Sequence, residues 1–203
     1  MRLSVFFDVE TTGLPVFSEP SSSAIQPHIV QLAACLVDLE TRRTISSIDL
    51  TIRPDGWTIP DDVAAIHGIT TEHATEVGVP EREAIALFLR LGAGRLHVAH
   101  NSSFDERIMR IALKRHYDDS TAEEFKGQSF ECTMRLASPI MALPPSGRMV
   151  KAGFNKHKPP NLAEAYQYFT GRTLEGAHNA MTDVLACKDI YFAMMDRETE
   201  RKA

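Results

Sequence analysis

The sequence predicts a mixed α/β fold, in which one β-sheet is flanked by α-helices, and three observations lead to it. Strand-like segments, a hairpin among them, come early in the chain, and amphipathic helices come late. The length of 203 residues, with 43% hydrophobic and 24% charged residues, fits one globular domain, which we place at residues 1–203. No sequence repeat with a period of about 20–50 residues is present, which excludes solenoids and propellers.

The strands follow from short apolar runs bounded by turn residues. Leu3–Val9 is apolar and runs into a Thr-Thr-Gly turn, which predicts a buried strand. Ile29–Asp38 and Thr44–Arg53 are separated by the polar segment 39–43, which predicts an antiparallel hairpin. Leu96–His100 is predicted as a further, shorter strand.

The helices follow from capping residues and apolar faces. A short helix begins with Pro60 in its first turn and ends at Ile66. A longer one begins near Pro80, has one apolar face and ends at Gly92. Ser102 suits the N-cap of a helix that runs to about Tyr117. Two more helices, Leu162–Phe169 and Ala180–Arg197, are predicted at the end of the chain.

Two stretches are predicted as loops. Residues 15–27 are rich in Pro and Ser, and residues 139–160 are rich in Pro, Gly and Lys. Between Cys132 and Ala163 there is no Asp or Glu, while the cations are Arg135, Arg148, Lys151, Lys156 and Lys158. The whole chain has a net charge of −5, so these five cations leave −10 for the rest. The acidic balance argues against a protein that simply coats phosphates, and a solvated loop is one interpretation of the basic stretch.

The cysteines and the apolar runs bear on the compartment. Cys35, Cys132 and Cys187 are widely spaced and form neither a disulfide framework nor a zinc pattern. No apolar run approaches the roughly 20 residues of a membrane span, and Leu3–Phe7 is too short for the core of a signal peptide. We therefore expect a cytoplasmic protein with reduced cysteines and no membrane partner.

Two carboxylates stand at the end of the first predicted strand. Asp8 and Glu10 are two residues apart, so they project on the same side of the strand at its carboxyl end. The carboxyl ends of strands are where α/β sheets bind ligands. Two like charges this close repel each other unless a cation or a proton lies between them. Two solvated carboxylates at a strand exit are the alternative.

A second group of polar residues, 100–105, lies where another strand ends and a helix begins. Ser102 followed three residues later by Asp105 is close to a capping box, so helix capping is one interpretation. A carboxylate in the first turn also interacts favourably with the helix dipole. The other interpretation is that Asp105 joins the carboxylates of the first group.

A third group lies before the last helix. His178 and Asp183 are five residues apart, or about 140° around a helix, so they cannot share one helical face. Asn179 suits an N-cap, which puts His178 in the preceding loop and Asp183 on the first full turn. The alternative is an exposed loop histidine and an unrelated acid on the helix surface.

Together, the three groups predict one catalytic site. Four carboxylates at the ends of elements indicate convergence on a hard, oxygen-liking cation such as Mg²⁺ or Mn²⁺. Two such cations stabilise both the attacking and the leaving oxygen of phosphodiester hydrolysis, and a histidine has the pKa range of a general base near neutral pH. The predicted catalytic residues are Asp8, Glu10, Asp105, Asp183 and His178.

These motifs resemble those of the DEDDh, or DnaQ-like, family of 3′–5′ exonucleases. Residues 7–14, with the sequence Phe-Asp-Val-Glu-Thr-Thr-Gly-Leu, resemble the first exonuclease motif, and residues 100–105 resemble the second. His178 and Asp183 have the spacing of the third motif in the histidine subclass. The segments 66–70 and 161–166 are similar as well, so the resemblance covers nearly the whole chain. It implies a ribonuclease-H-like fold and release of nucleoside 5′-monophosphates from a 3′ end.

The resemblance also implies a role for each matched residue. Asp8, Glu10 and Asp183 would bind the tighter of two Mg²⁺ ions, for which Mn²⁺ could substitute, and Asp8 would also contact the second ion. Asp105 would act largely through water, and His178 would take a proton from the attacking water. The residues that would contact the terminal nucleotide are Thr11, Thr12, Gly13, Leu14, His67, Asn101 and Phe104. For Leu14 and Phe104, the alternative is ordinary packing in the core.

Substrate and partners follow less closely from the sequence. The expected substrate is a single-stranded or frayed 3′ end of DNA or RNA, with DNA weakly favoured. In this fold the basic segment 148–158 is expected near the rim of the site, where it would grip the phosphates of the entering strand. No polymerase-tethering pattern follows the last predicted helix, which weakly favours an enzyme that acts alone. The loops 15–27 and 139–160 depart from the family pattern and leave the branch open.

Two other function classes compete with the enzyme. One is a non-catalytic module of the same fold that binds nucleic acid or a polymerase, and such a module is expected to lack at least one of the five catalytic residues. The other is an unrelated α/β domain with scattered surface acids, which would bind no Mg²⁺.

Overall fold

The structure, a computed structural model, describes residues 2–202. Its strands are β1 (Leu3–Thr11), β2 (Ile29–Asp38), β3 (Thr44–Thr51), β4 (Leu96–Ala99) and β5 (Phe130–Cys132). Its helices are α1 (Asp61–His67), α2 (Thr71–Val77), α3 (Glu81–Gly92), α4 (Ser102–His116), α5 (Asp119–Lys126), α6 (Thr133–Met141), α7 (Gly147–Lys151), α8 (Leu162–Thr170) and α9 (Ala180–Lys202).

The strands form one mixed sheet in the order β3-β2-β1-β4-β5. β1 and β2 are antiparallel, as are β2 and β3, so the predicted hairpin is confirmed. β4 runs parallel to both β1 and β5. The carboxyl ends of β1 and β4 therefore lie side by side at one edge of the sheet. This arrangement confirms the predicted α/β fold.

Helices cover both faces of the sheet because the side chains of β1 alternate between two cores. Phe7 points toward α3 and lies 5.0 Å from the ring of Phe88. Phe6 points the opposite way, toward α9, and lies 5.3 Å from the ring of Tyr191. Alternation with a period of two places consecutive apolar residues on opposite faces. β1 is thus the buried central strand, and the acids at its end are fixed by both cores.

Some of the predicted element bounds differ from the structure. The helices α2, α5, α6 and α7 were not predicted, since each has nine residues or fewer and too few turns for a clear apolar period. α6 also contains Pro139, which predicts a break. Part of the stretch predicted as a loop at 139–160 is therefore helical, in α6 and α7. The segment 15–27 contains no helix or strand, as expected.

The buried side chain of Gln26 ties distant parts of the loop 15–27 together. The Gln26 amide donates hydrogen bonds to the carbonyl oxygens of Val16, Glu19 and Pro20, at 2.9, 3.2 and 3.1 Å. The Gln26 side-chain oxygen accepts the Val16 N–H at 3.0 Å. The loop therefore has a fixed shape although its sequence predicts only turns and exposure.

A buried carboxylate joins three elements near the start of β2. Glu81, at the beginning of α3, accepts the backbone N–H of Ile29 at 3.1 Å and contacts the rings of His28 at 3.2 Å and His116 at 2.8 Å. Arg115 lies 3.6 Å from the same carboxylate. Burial acts to raise the pKa of Glu81, but the hydrogen bonds and the nearby Arg115 outweigh it and lower the pKa to about 2.

The structure also bears on the cysteines and on membrane insertion. Cys35, Cys132 and Cys187 are buried free thiols, so the expectation that they form no disulfide is confirmed. Within residues 2–202, no helix combines the length and the apolar character that crossing a membrane requires.

Candidate active site

A cleft of about 460 Å³ opens at the carboxyl ends of β1 and β4. It gathers the predicted catalytic residues of all three motifs, which are Asp8, Glu10, Asp105, Asp183 and His178. It also contains most of the residues expected to bind the terminal nucleotide, namely Thr11, Gly13, Leu14, His67, Asn101 and Phe104. The convergence expected from three separate segments is thus present in the structure.

Asp8 and Glu10 face the cleft because they are two residues apart on β1. The pairing of β1 with β2 is regular up to Glu10 and shifts between Glu10 and Thr11, so the strand changes course just beyond the second acid. Burial, and then the nearby carboxylates of Asp105 and Asp183, hold the pKa of Asp8 well above its ordinary value. Burial and Asp183 raise the pKa of Glu10 to about 7.

Asp105 enters the site from the first turn of α4. Its carboxylate accepts the backbone N–H of Val9 at 3.3 Å, which fixes it between the two acids of β1. The N-cap of α4 is Asn101, in a left-handed conformation with φ of 66°, and no side chain caps the helix there. The interpretation of Ser102 and Asp105 as a capping box is therefore wrong. Asp105 is 2% exposed, and burial is the main cause that raises its pKa.

Asp183 is oriented by the backbone of the histidine five residues before it. His178 has a left-handed conformation, with φ of 67°, and its backbone N–H donates to Oδ2 of Asp183 at 3.1 Å. Oδ1 of Asp183 is buried and has no hydrogen-bond partner within residues 2–202. Asn179 caps α9 by accepting the Thr182 N–H at 3.1 Å, as predicted. Burial raises the pKa of Asp183 to about 6.

The donor atoms at this site suit a cation. Side-chain atoms of Glu10, His178 and Asp183 lie within 4.8 Å of one another, and Asp8 and Asp105 line the same cleft. All four carboxylates have raised pKa values, because burial disfavours their charged forms, and neighbouring acids raise the pKa values of Asp8, Glu10 and Asp105 further. A divalent cation would relieve both effects, and the unpaired oxygen of Asp183 is available to it.

His67 presents a hydrogen-bond donor to the cleft. Its Nδ1 accepts the backbone N–H of Ile69 at 3.1 Å, so in the neutral ring the proton is on Nε2. Burial, and then the charge of His178, lower the pKa of His67 and keep the ring neutral. Nε2 is buried and has no partner among the described residues, so its N–H is free for a ligand oxygen.

The turn after β1 exposes an apolar side chain at the rim of the cleft. The hydroxyl of Thr11 donates to the Gly13 carbonyl at 2.8 Å, and the next residue, Leu14, is 78% exposed at the rim. Core packing, the alternative role for Leu14, is therefore wrong. Phe104 is half-buried: it packs against the core below the sheet and also lines the cleft.

Thr12 is the one predicted contact residue that does not line this cleft. Its backbone N–H donates to the carbonyl oxygen of His28 at 3.0 Å, and its hydroxyl accepts the His28 N–H at 3.0 Å. These bonds hold the turn after β1 against the start of β2. The structure gives Thr12 a positioning role beside the cleft.

Two residues that shape the site had no role assigned from the sequence, although His100 belongs to the second motif. Gln31 accepts the Ala180 N–H at 3.0 Å, which fixes the start of α9, and donates to Asp49 at 2.7 Å. A lone amide within the apolar run of β2 is the signal that could have found it. His100 lines the cleft and contacts the hydroxyl of Thr133 at 2.9 Å and the carbonyl of Pro160 at 3.1 Å.

Comparison with protein families decides the class of this site. A family model described as Exonuclease, RNase_T, matches residues 5–191. The chain belongs to this exonuclease family. The family match confirms the predicted resemblance to DEDDh 3′–5′ exonucleases. It also confirms that the domain is an exonuclease, which is a phosphodiester hydrolase.

Relatives of this exonuclease domain occur within much longer enzymes. The PolC-type DNA polymerases III of Lactococcus lactis and Streptococcus sanguinis are each 31% identical to the chain over 112 residues. The match covers 55% of this chain but only 6% and 7% of the two polymerases. The chain therefore corresponds to a small part of these relatives.

Solved structures of exonucleases share the fold. Exonuclease I of E. coli, in complex with a dT13 oligonucleotide, matches with a TM-score of 0.73 and 21% identity. Exonuclease I of Methylocaldum szegediense matches with a TM-score of 0.71 and 25% identity. Each match covers 100% of this chain and 42% of the other, so the chain spans less than half the length of these enzymes. The expected ribonuclease-H-like fold is confirmed.

Proposed function

We propose that this protein is a metal-dependent 3′–5′ exonuclease that releases nucleoside 5′-monophosphates from a single-stranded or frayed 3′ end. The observation that carries the proposal is the meeting of four carboxylates and an exposed histidine in one cleft of an exonuclease-family domain. The five residues come from β1, the first turn of α4 and the start of α9, and they line one cleft.

The acids are proposed to hold two Mg²⁺ ions, for which Mn²⁺ can substitute. Asp8, Glu10 and Asp183 would hold the tighter ion, Asp8 would also serve the second, and Asp105 would act largely through water. When bound, the ions stabilise negative charge on the attacking and leaving oxygens of the phosphodiester. The raised pKa values of the four acids support this assignment, because a site that repels its own charges gains most from cations.

His178 is proposed as the general base. Its side chain is exposed at the cleft, within 4.8 Å of donor atoms of Glu10 and Asp183, so it can receive a proton from the attacking water. Its left-handed backbone holds Asp183 through the N–H and leaves the ring free to move. One residue thus fixes an acid with its backbone and takes a proton with its side chain.

The 3′ terminal nucleotide is proposed to occupy the rest of the cleft. The turn 11–14 contacts the sugar and its 3′-hydroxyl, with Leu14 against the last base. Nε2 of His67 donates to a substrate oxygen, and this is supported by its lack of a protein partner. Asn101 and Phe104 line the same pocket, and the ring of Phe104 is available for stacking.

We propose DNA as the preferred substrate, weakly over RNA, and single strands over paired ends. Support comes from the solved structure of E. coli exonuclease I with a dT13 oligonucleotide, which has the same fold. We expect the chain to hydrolyse its substrate without a polymerase partner. The buried free cysteines fit a reducing compartment, so the proposed place of action is the cytoplasm.

The test is hydrolysis of DNA and RNA oligonucleotides labelled at the 5′ end, each with Mg²⁺, with Mn²⁺ and with EDTA. We expect stepwise shortening of the labelled strand with either ion and none with EDTA. A circular single strand, which has no 3′ end, should resist. Internal cuts in the circle would contradict the proposed polarity, and no hydrolysis with either ion would favour a non-catalytic module.

A further inference from the structure

The segment 143–158 forms a closed loop, which we call the basic loop. The backbone N–H of Lys158 donates to the carbonyl oxygen of Leu143 at 3.0 Å, so the two ends meet. The loop contains α7, whose first turn is capped by the hydroxyl of Ser146 at 3.3 Å from the Met149 nitrogen. The remaining backbone bonds of the loop are internal, such as Phe154 N–H to the Met149 carbonyl at 2.9 Å. The basic loop is an ordered unit of its own.

Three of the four Lys and Arg residues of the basic loop are exposed and have no ion-pair partner in the described part of the chain. Arg148, Lys151 and Lys156 are exposed, and none forms an ion pair within residues 2–202. Lys158 differs, since its ammonium contacts the carboxylate of Glu164 at 2.5 Å. The loop itself contains no Asp or Glu. Three free cations on a body with excess negative charge form a local site for a polyanion.

An exposed aromatic ring lies among these cations in the sequence. Phe154 is 61% exposed, and it lies between Lys151 and Lys156 in the sequence. A ring this exposed contributes little to a core, whereas it offers a flat face to a nucleobase. Alternation of cations with an exposed aromatic residue is the pattern of a surface that binds single-stranded nucleic acid.

The base of the loop is fastened beside the active-site cleft. His100 lines the cleft and bonds to the carbonyl of Pro160, two residues beyond the end of the loop. Leu162, two residues further, lines the cleft itself. The base of the loop therefore borders the cleft in which we propose that the 3′ end lies. Continuity with the cleft favours the substrate strand over an acidic protein as the occupant.

We propose that the basic loop binds the single-stranded substrate upstream of the reacting end. Arg148, Lys151 and Lys156 contact its phosphates, and Phe154 stacks on one of its bases. This inference rests on the proposed exonuclease function and names its substrate class, a strand several nucleotides long rather than a dinucleotide or a nucleotide ester. The loop binds ground state and transition state equally, so it acts on KM and not on kcat.

The test measures hydrolysis of two substrates by the 203-residue chain in the presence of Mg²⁺. One is a 20-nucleotide single strand of DNA, and the other is the p-nitrophenyl ester of thymidine 5′-monophosphate, which is too small to reach the loop. The variant Arg148→Gln/Lys151→Gln/Lys156→Gln should raise KM for the oligonucleotide about tenfold or more and leave kcat unchanged. For this variant, the slope of log(kcat/KM) against the logarithm of the salt concentration should become less steep by about 2. Each lost contact with a single-strand phosphate accounts for roughly 0.7 of this change. Hydrolysis of the ester should be unchanged.

Phe154 is tested separately, because stacking does not depend on salt. Phe154→Ala should raise KM for the oligonucleotide about fivefold or more, which is the low end of a lost base–aromatic stack. Phe154→Tyr should restore the affinity, since the ring remains. The salt dependence of both variants should equal that of the wild type.

A matched control removes three cations at the opposite end of the sheet. Arg43 lies in the turn between β2 and β3, Arg90 near the end of α3 before β4, and Lys126 at the end of α5 before β5. β4 and β5 run parallel to β1, so these positions lie away from the cleft. Arg43→Gln/Arg90→Gln/Lys126→Gln makes the same change in net charge and should leave KM for the oligonucleotide within about twofold.

The outcomes separate the two proposals. Wild-type protein that hydrolyses neither substrate contradicts the exonuclease function. Wild-type activity on both substrates, with an unchanged KM and salt dependence in the loop variants, overturns the basic-loop inference alone. An equal defect on the ester and on the oligonucleotide would show damage to the cleft, and would also overturn it.

Discussion

Among single residues, Asp8 combines burial with the largest number of neighbouring acids. It lies on the central strand, and its carboxylate is destabilised by burial and by three neighbouring acids. Asp8→Asn should abolish hydrolysis, since it removes the ligand expected to contact both ions, while the melting temperature Tm without metal should stay equal or rise. Thermal unfolding with and without Mg²⁺ checks this: the wild type should gain several degrees with Mg²⁺ and the variant should gain less. Activity above about a tenth of the wild type would contradict the two-ion assignment.

His178 allows its side chain to be tested without disturbing its backbone. Asn accepts a left-handed conformation better than most residues, so His178→Asn should preserve the N–H bond to Asp183. The variant should lose about 10²–10⁴-fold in kcat, the usual share of a general base, with KM little changed. Raising the pH should partly restore the rate, because hydroxide replaces the missing base. If the His178→Asn variant kept the rate and the pH profile of the wild type, His178 would not be the general base.

At the scale of elements, the start of α9 depends on one amide of β2. Gln31→Leu removes the acceptor of the Ala180 N–H, so His178 and Asp183, which flank this point, should shift together. We expect kcat to fall about tenfold or more and the free energy of unfolding to fall by about 1–3 kcal/mol. Asp49→Asn is the matched control, since it alters the other partner of Gln31 and leaves the acceptor in place. Equal kinetics of the two variants would contradict this role.

The junction of β2, α3 and α4 should make stability depend on acid. The pKa of Glu81 in the folded protein, about 2, lies below the value of 4.5 for a free side chain. Its contribution is therefore complete above pH 4.5 and is lost as the pH falls toward 2. Glu81→Gln should cost roughly 3 kcal/mol at pH 7 and about half of that at pH 3, measured by urea unfolding at the two pH values. A cost independent of pH would show that packing, not charge, is what the variant loses.

The elements that the sequence predicted well are those with a long, clear period. β1, β2 and α8 were predicted to within about two residues, because runs of apolar residues mark them. The short helices α2, α5 and α7 were missed, since seven, eight and five residues give two turns or so and their stability comes from tertiary contacts. Loop sequence likewise could not show that Gln26 fixes 15–27.

For the whole molecule, the order of the motifs along the chain predicted which residues form the site, but it did not predict the backbone geometry of the site. Carboxylates at strand ends must meet when the strands run side by side, so the grouping of Asp8, Glu10 and Asp105 followed from the pattern. The left-handed conformations of Asn101 and His178 could not be predicted, since they arise where the sheet, α4 and α9 constrain the chain together. The exposure of Leu14 and Phe154 likewise depends on the assembled fold.

Because a hydrogen bond joins Lys158 to Leu143, we expect that the segment between them can be exchanged without disturbing the rest of the domain. Since the two ends already lie at the distance of a hairpin, residues 144–157 can be replaced by Gly-Gly with little change in loop-closure entropy. The shortened protein should keep its Tm within about two degrees and hydrolyse the nucleotide ester at the wild-type rate, as thermal unfolding and a colour assay would show. A large fall in Tm would mean that the segment supports the domain. We expect that exchange of this one surface loop would change which strands the domain binds, with the catalytic acids left untouched.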